Sequence, residues 1–337
     1  MNKKYRVAVI GGHGLVSKSI IEDLERFNFP MSELVVYGSK VHASIDLVVN
    51  YKKYRILPLE EDNVMPFDLV FFSSSDDLSN KYAKLFIEKG ARVIDNSSFF
   101  RNDKSVPLVI PEINEEDLLN DSKIYANPNC TTIMMLLAIY PLHQEFKIEK
   151  LNISSYQSIS GAGTLALEEY VNESIDQNYE AKILPSKNAV KKVIYNNLLP
   201  VVDDIKEDGY TGEEIKIIKE SQKILHLKDL EVNPTCVRVP TLYGHGITIY
   251  ALCKEKIDLE KVKEIYQSKP YLKYKDTPDY PDLKEVVGTP IVEVGRFRVD
   301  KYCEYTLDLF ATSDNLIRGA SYNAVQIGLS LIKLGIL

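Results

Sequence analysis

The sequence predicts an α/β protein: a Rossmann-type doubly wound parallel sheet followed by an α+β domain built on a mixed sheet. Three observations carry that expectation. Arg6-Val7-Ala8-Val9-Ile10 is short and almost wholly apolar, as a strand covered on both faces must be, and it leads through a glycine turn into a helical stretch. Apolar runs then alternate with helical segments up to Asn129. After Cys130 the strands switch to polar/apolar alternation, the mark of a sheet with one solvated face.

In chain order, the first strand is followed by the turn Gly11-Gly12-His13-Gly14 and a helix from Leu15 to about Phe27. Glu33 to Tyr37 reads as the second strand. Asp68 to Phe72 and Arg92 to Asp95 read as strands around the helix Asn80 to Lys89. Lys123 to Ala126 is a strand end that passes into the apolar helix Thr131 to Leu142. Further on, Leu151 to Ser158, Val237 to Tyr243, Ile247 to Cys253 and Tyr302 to Phe310 read as strands, with helices over Leu165 to Ile175 and Glu213 to Ile224. Tyr266 to Tyr280 reads as a surface loop. Asn315 to Leu337 has a long helical pattern expected to return to the first domain. The expected domains are therefore residues 1–129 with 315–337, and residues 130–314.

A chain of 337 residues with 45% hydrophobic and 26% charged residues is that of an ordinary globular protein with room for two cores. A net charge of -7 argues against a general nucleic-acid binder. Cys130, Cys236, Cys253 and Cys303 are widely spaced and lack a metal-ligand rhythm, so reduced thiols in the cytoplasm are expected and no metal site. No secretory h-region precedes the first strand, and the longest apolar run is too short for a bilayer, so no membrane association is expected.

Cys130 is the most informative residue. Ala126-Asn127-Pro128-Asn129-Cys130-Thr131-Thr132 puts it where a strand becomes a helix, and free N–H groups with the positive helix end stabilise a thiolate there. The alternative is a buried structural cysteine. Gly11 to Gly14 lies where backbone amides can hold a pyrophosphate, although Ser17 stands at the third glycine of the usual fingerprint. The second strand ends in Tyr37-Gly38-Ser39-Lys40, with no carboxylate and one ammonium, which favours NADP over NAD. Gln157 opens the small-residue loop Ser158-Ile159-Ser160-Gly161-Ala162-Gly163 and could orient a carbonyl or be part of a plain turn. His245 lies between Gly244 and Gly246, which would let its ring reach a cleft. Arg238 could fork onto a carboxylate. Glu213 and Lys216 share a helix face, as substrate contacts or as a simple ion pair. Arg101 follows small hydroxyl residues in a mixture that suits an oxyanion or a structural salt bridge. A thiol, a histidine, separated cations and a dinucleotide turn together fit oxidation of an aldehyde through a thioester.

At these residues the chain resembles the aspartate-semialdehyde dehydrogenase family, from Val7 to the last helix. The motifs that carry the resemblance are DNSSFFR (95–101), ANPNC (126–130), SYQSISGAG (155–163), EEIK (213–216), RVPTLYGH (238–245) and DNLIRGASYNAVQIG (314–328). The resemblance implies Cys130 as nucleophile, His245 as acid/base and Gln157 as the group orienting the acyl intermediate. It implies that Arg238 and Glu213 hold the substrate's carboxylate and ammonium, and that Arg101, Asn129 and Lys216 bind phosphate. Cofactor contacts are implied at Gly11, His13, Gly14, Leu15, Val16, Ser39, Lys40, Ser73, Ser160, Gly161 and Gln326. The implied reaction is NADP-dependent and runs in the cell from 4-aspartyl phosphate to L-aspartate 4-semialdehyde, on the route to lysine, threonine and methionine. A homodimer joined through the second, catalytic domain is implied, with a homotetramer as the alternative.

Three departures from the family pattern touch the cofactor site. The turn reads GGHGLVS, Val41 stands where the family has an arginine for the 2′-phosphate, and Ser73-Ser74-Ser75-Asp76-Asp77 replaces a glycine-containing segment. Lys40 or His42 could supply part of the missing charge. The rival readings are a sister reductase acting on another acyl phosphate or an acyl-CoA, and a noncatalytic paralogue with weakened cofactor binding.

Overall fold

The computed structural model describes residues 3–41, 43 and 45–337. They divide into two compact units, residues 3–129 with 320–337 and residues 130–319.

The first unit is a seven-stranded sheet in the order β3-β4-β2-β1-β5-β6-β7. Its strands are β1 (Tyr5–Ile10), β2 (Met31–Gly38), β3 (Asp46–Val49), β4 (Lys52–Pro58), β5 (Leu69–Phe72), β6 (Arg92–Asp95) and β7 (Ile124–Ala126). All neighbours are parallel except β3 with β4. From β1 the chain winds first toward β2 and then toward β5, so the strand order reverses at β1, where such sheets open a crevice at their carboxyl ends. Helix α1 (Leu15–Arg26) buries Ser17, Ile20, Ile21 and Leu24, a stripe at helical spacing. It ends where Asn28 takes a left-handed φ of 49° ahead of Pro30. Helix α2 (Asp76–Glu88), the short α3 (Pro111–Asn114) and the C-terminal helix Tyr322–Lys333 complete this unit.

The sequence reading passed over β3 and β4. Their residues are mostly charged or half-exposed, as befits the sheet margin, and the apolar run Leu47-Val48-Val49 is too short to mark a strand by periodicity. The last helix is shorter than expected. Asp314 accepts the N–H groups of Leu316 and Ile317, a π-helical turn follows at Ile317–Ser321, and only then does the α-helix begin. Residues 315–319 accordingly belong to the second unit, anchored by Asn315, whose side chain bonds Ser158, Ser160 and Gly244.

In the second unit, α4 (Cys130–Phe146) is buried along nearly its whole length and packs on a six-stranded mixed sheet. The sheet order is β11-β12-β13-β10-β8-β9, from β8 (Ile148–Gln157), β9 (Glu231–Arg238), β10 (His245–Cys253), β11 (Leu272–Lys275), β12 (Val292–Val299) and β13 (Thr306–Ser313). Helices α5 (Thr164–Ile175), α6 (Gly212–Ile224), α7 (Leu259–Gln267) and α8 (Leu283–Val286) belong to the same unit. β9 ends at Arg238 rather than continuing to Tyr243, because Pro240 cannot donate to a ladder. Pro234 is tolerated inside β9 because β9 is the last strand of the sheet order, with β8 on one side. Part of the expected loop Tyr266 to Tyr280 is strand β11, which pairs in parallel with β12. Among the described residues no helix is long and apolar enough to cross a membrane.

Leu24 is fully buried in the first unit's core. Leu24→Ala should therefore cost about 2–5 kcal/mol of stability, measured by urea unfolding.

Candidate active site

The register of the second sheet lines up three of the singled-out residues. Gln157 at the end of β8 stands opposite Arg238 on β9 and opposite His245 on β10. Neighbouring strands are about 4.8 Å apart, so guanidinium, amide and imidazole occupy one row at one edge of the sheet. Cys130, the first residue of α4, reaches the same row, with its Sγ 3.4 Å from His245 Nε2. A Cβ on Gly319 would come within 2.7 Å of the Cys130 Cβ, so only glycine lets the returning chain pass there.

His245 is fully buried. The backbone N–H of Ser158 donates to its Nδ1 at 3.1 Å. An N–H donates only to an unprotonated nitrogen, so this bond favours the tautomer with the proton on Nε2, facing the sulfur. Burial, then the nearby Arg238 charge, lowers the His245 pKa to about 4, and the ring is neutral at physiological pH. Asn315 steadies this arrangement: its Oδ1 accepts from Ser158 Oγ, Ser160 Oγ and the Gly244 N–H.

Arg238 is 4% exposed and donates through Nη1 to the Ser158 carbonyl at 2.7 Å. Its buried Nε has no hydrogen-bond partner among the described residues. Burial lowers its pKa, and Glu213, Cys130 and Asp203 act in the opposite direction. A buried guanidinium with donor capacity to spare has the chemistry to fork onto a carboxylate. A Cβ at Gly161 would stand 3.0 Å from Arg238 Nη1 and 3.4 Å from His245 Cε1, so the glycine keeps the space beside both open.

Glu213 accepts from Gln157 Nε2 at 3.1 Å. Its helix α6 is placed by a capping box, in which Thr211 and Glu214 bond each other's backbone N–H. Glu214 also accepts the Cys236 N–H at 3.0 Å, which ties α6 to β9. Lys216 bonds Asp203 at 2.7 Å and lies 3.6 Å from Glu213, so the ammonium is held between two carboxylates. Burial opposes ionisation of Asp203, yet Lys216 leaves its carboxyl below the ordinary range. Burial pushes the Cys236 thiol well up and the Cys253 thiol to about 12, which leaves them inert.

The remaining singled-out residues, apart from Ser160, lie in the first unit. Arg101 is buried and donates to the Asn96 carbonyl at 2.7 Å, within the loop after β6. Asp76 fixes that loop by accepting the N–H and hydroxyl of Ser98. Asn129 is buried at this unit's end. In the turn between β1 and α1, the N–H groups of Gly11 and Gly12 both donate to the Tyr37 carbonyl, and both glycines have positive φ. A Cβ on Gly11 would stand 2.4 Å from Ser17 Oγ and 2.6 Å from the Ser73 carbonyl, so glycine is required there. The Ser17 hydroxyl bonds Ser73 at 2.7 Å and closes the space that a third glycine usually leaves. Gly14 is the N-cap of α1 and supplies no side-chain cap, and the first turn, from Leu15 and Val16 onward, has no acidic residue. Such a helix start fits the diphosphate of a dinucleotide. His13 is half-buried in this turn, Ser39 and Lys40 follow β2, and Gln326 bonds Glu112 at 3.0 Å. His42 lies outside the described residues.

Known proteins share this architecture over the whole chain. Residues 6–121 match the family described as semialdehyde dehydrogenase, NAD binding domain, and residues 139–318 match semialdehyde dehydrogenase, dimerisation domain. The chain belongs to the aspartate-semialdehyde dehydrogenase family. The family's enzyme from Aquifex aeolicus is 38% identical over 99% of both chains, and that from Bacillus subtilis is 35% identical over 100% of both. A solved structure of aspartate semialdehyde dehydrogenase II complexed with ASA from Vibrio cholerae superposes with a TM-score of 0.91, at 34% identity, covering 98% of this chain and 99% of that one.

Sequence reasoning missed Asp203, Asn315 and the hydroxyl of Ser158. Asn315 stands inside a family motif, and Thr211-x-x-Glu214 was a legible capping signature for the helix that bears Glu213. Nothing local marks Asp203. It has a left-handed φ of 68°, and a Cβ on Gly212 would come within 2.5 Å of its carboxylate.

The pKa of His245 falls on folding, so the unfolded chain binds the extra proton between pH 6.5 and about 4. Stability tied to the neutral ring is complete above pH 6.5 and lost as the pH falls to about 4. Urea unfolding should show wild type losing about 3 kcal/mol more than His245→Gln across that window; equal slopes would contradict the neutral, buried ring.

Proposed function

We propose that this chain catalyses the reversible, NADP-dependent reductive dephosphorylation of 4-aspartyl phosphate to L-aspartate 4-semialdehyde, with Cys130 carrying the acyl group as a thioester. The observation that carries this reading is the 3.4 Å approach of Cys130 Sγ to the protonated Nε2 of a neutral His245, beside the buried Arg238. The relative from Vibrio cholerae was solved complexed with ASA, which supports the same substrate here.

In the oxidative direction the Cys130 thiolate, stabilised by the start of α4, adds to the aldehyde carbon. The His245 Nε2–H donates first to the thiolate and then to the alkoxide that forms from the carbonyl oxygen. Bound nicotinamide dinucleotide supplies the hydride acceptor. The remaining acyl group is a thioester on Cys130, its carbonyl oriented by Gln157. A phosphate oxygen, held by Arg101, Asn129 and Lys216, adds to that carbonyl and expels the Cys130 thiolate, giving 4-aspartyl phosphate. Arg238 binds the amino acid's carboxylate and Glu213 its ammonium. The biosynthetic direction is the reverse, toward lysine with its diaminopimelate precursor, threonine and methionine.

The first unit then serves as the cofactor domain. Its turn at Gly11, His13, Gly14, Leu15 and Val16 takes the diphosphate, with Ser39, Lys40, Ser73 and Gln326 as further contacts. Ser160 and Gly161 are the contacts from the catalytic domain. The chain acts as a homodimer in the cytoplasm. The match of residues 139–318 to a dimerisation domain supports the first point, and the need to keep Cys130 reduced supports the second.

Cys130→Ala should lower phosphate-dependent reduction of NADP⁺ by semialdehyde more than about a thousandfold while cofactor binding persists; retained turnover would sink the thioester. Arg238→Leu should raise KM for the semialdehyde about ten- to a hundredfold, the loss of a charge-assisted contact, and leave KM for phosphate nearly unchanged. Equal effects on both substrates would refute the division of the cations.

A further inference from the structure

The end of β2 carries no acidic residue in sequence, yet the fold delivers one. β4 runs parallel beside β2, with Pro58 opposite Gly38. The Leu59 N–H donates to the Gly38 carbonyl at 2.8 Å, so the chain leaving β4 stays alongside the chain leaving β2. The next residue is Glu60, and its carboxylate pairs with the Lys40 ammonium. The dinucleotide turn abuts the same place, since a Cβ on Gly12 would stand 3.2 Å from Gly38 Cα. In a doubly wound sheet the adenosine ribose lies at the end of the second strand, where a carboxylate accepts from its vicinal hydroxyls and a cation receives a 2′-phosphate.

We propose that Glu60 is a specificity-determining residue for the cofactor: it supplies the carboxylate missing from β2 and, by engaging Lys40, makes this site admit NAD as readily as NADP. This inference rests on reading the Gly11 to Gly14 turn as the dinucleotide site. The ribose hydroxyls of NAD donate to the Glu60 carboxylate. A 2′-phosphate carries nearly two negative charges and meets Glu60 as a like charge. It gains Lys40 only by drawing that ammonium from its partner. Glu61 and Asp62 follow Glu60 and add negative potential, with Glu61 itself 3.2 Å from Lys81. Val41, largely exposed, has no side-chain donor for a 2′-phosphate. Lys40 is raised in pKa by its bond to Glu60, as an ammonium committed to a carboxylate should be.

Calorimetric titration of the full chain with ADP-ribose and with 2′-phospho-ADP-ribose reads this choice without turnover. Wild type should bind the two with Kd values within about threefold of each other, and Glu60→Gln should shift the ratio about tenfold toward the phosphorylated ligand, the size of one charge-assisted contact. Lys40→Met should weaken only the phosphorylated ligand. A wild type that prefers the 2′-phosphate more than about thirtyfold, or a ratio unmoved by Glu60→Gln, would overturn the role of Glu60 alone. Failure of either ligand to bind at millimolar concentration would overturn the dinucleotide reading and this proposal with it.

Discussion

The site depends on the backbone register of β8 with its two neighbours. Gln157 faces Arg238 across a parallel ladder and His245 across an antiparallel one. A slip of one residue in either ladder would turn one of those side chains to the opposite face of the sheet. The same stretch of backbone settles proton placement, because Ser158, one residue past β8, aims its N–H at Nδ1 of His245. A single backbone N–H just past the strand thus accounts for which imidazole nitrogen faces the sulfur.

Charge is the second constraint. Arg238 and Glu213 are both buried, and burying either alone would be costly. The structure pairs their fields at close quarters, and Asp203 with Lys216 extends the set outward. His245 responds by staying neutral, so its Nε2 proton serves as a hydrogen-bond donor instead of adding a second cation beside Arg238. A chain that is acidic as a whole keeps a buried guanidinium with a spare donor in this row of side chains.

The first unit achieves tight approach with small residues. Gly11, Gly12 and Gly38 bring the βα turn against the end of β2, and the bonded hydroxyls of Ser17 and Ser73 close the gap behind it. That packing resolves two of the departures noted in the sequence. Ser17 is turned inward to Ser73, and Asp76 braces the Asn96 to Arg101 loop through Ser98. The third departure, Val41, is exposed, and Lys40 beside it in sequence pairs with Glu60.

The apolar β1, the glycine turn, the amphipathic α1 and the mostly buried α4 were legible from residue order, since each announces itself within a dozen neighbouring residues. So were Cys130, Gln157, Arg238 and His245, through motifs that keep them in short recognisable runs. The marginal strands β3 and β4 were not legible, because pairing at a sheet margin demands little apolar character. Asp203, Asn315 and Glu60 acquire partners 13, 157 and 20 residues away, respectively. Local pattern cannot encode such partnerships: they exist only once strands pair in register and helices dock, when distance through space replaces distance along the chain.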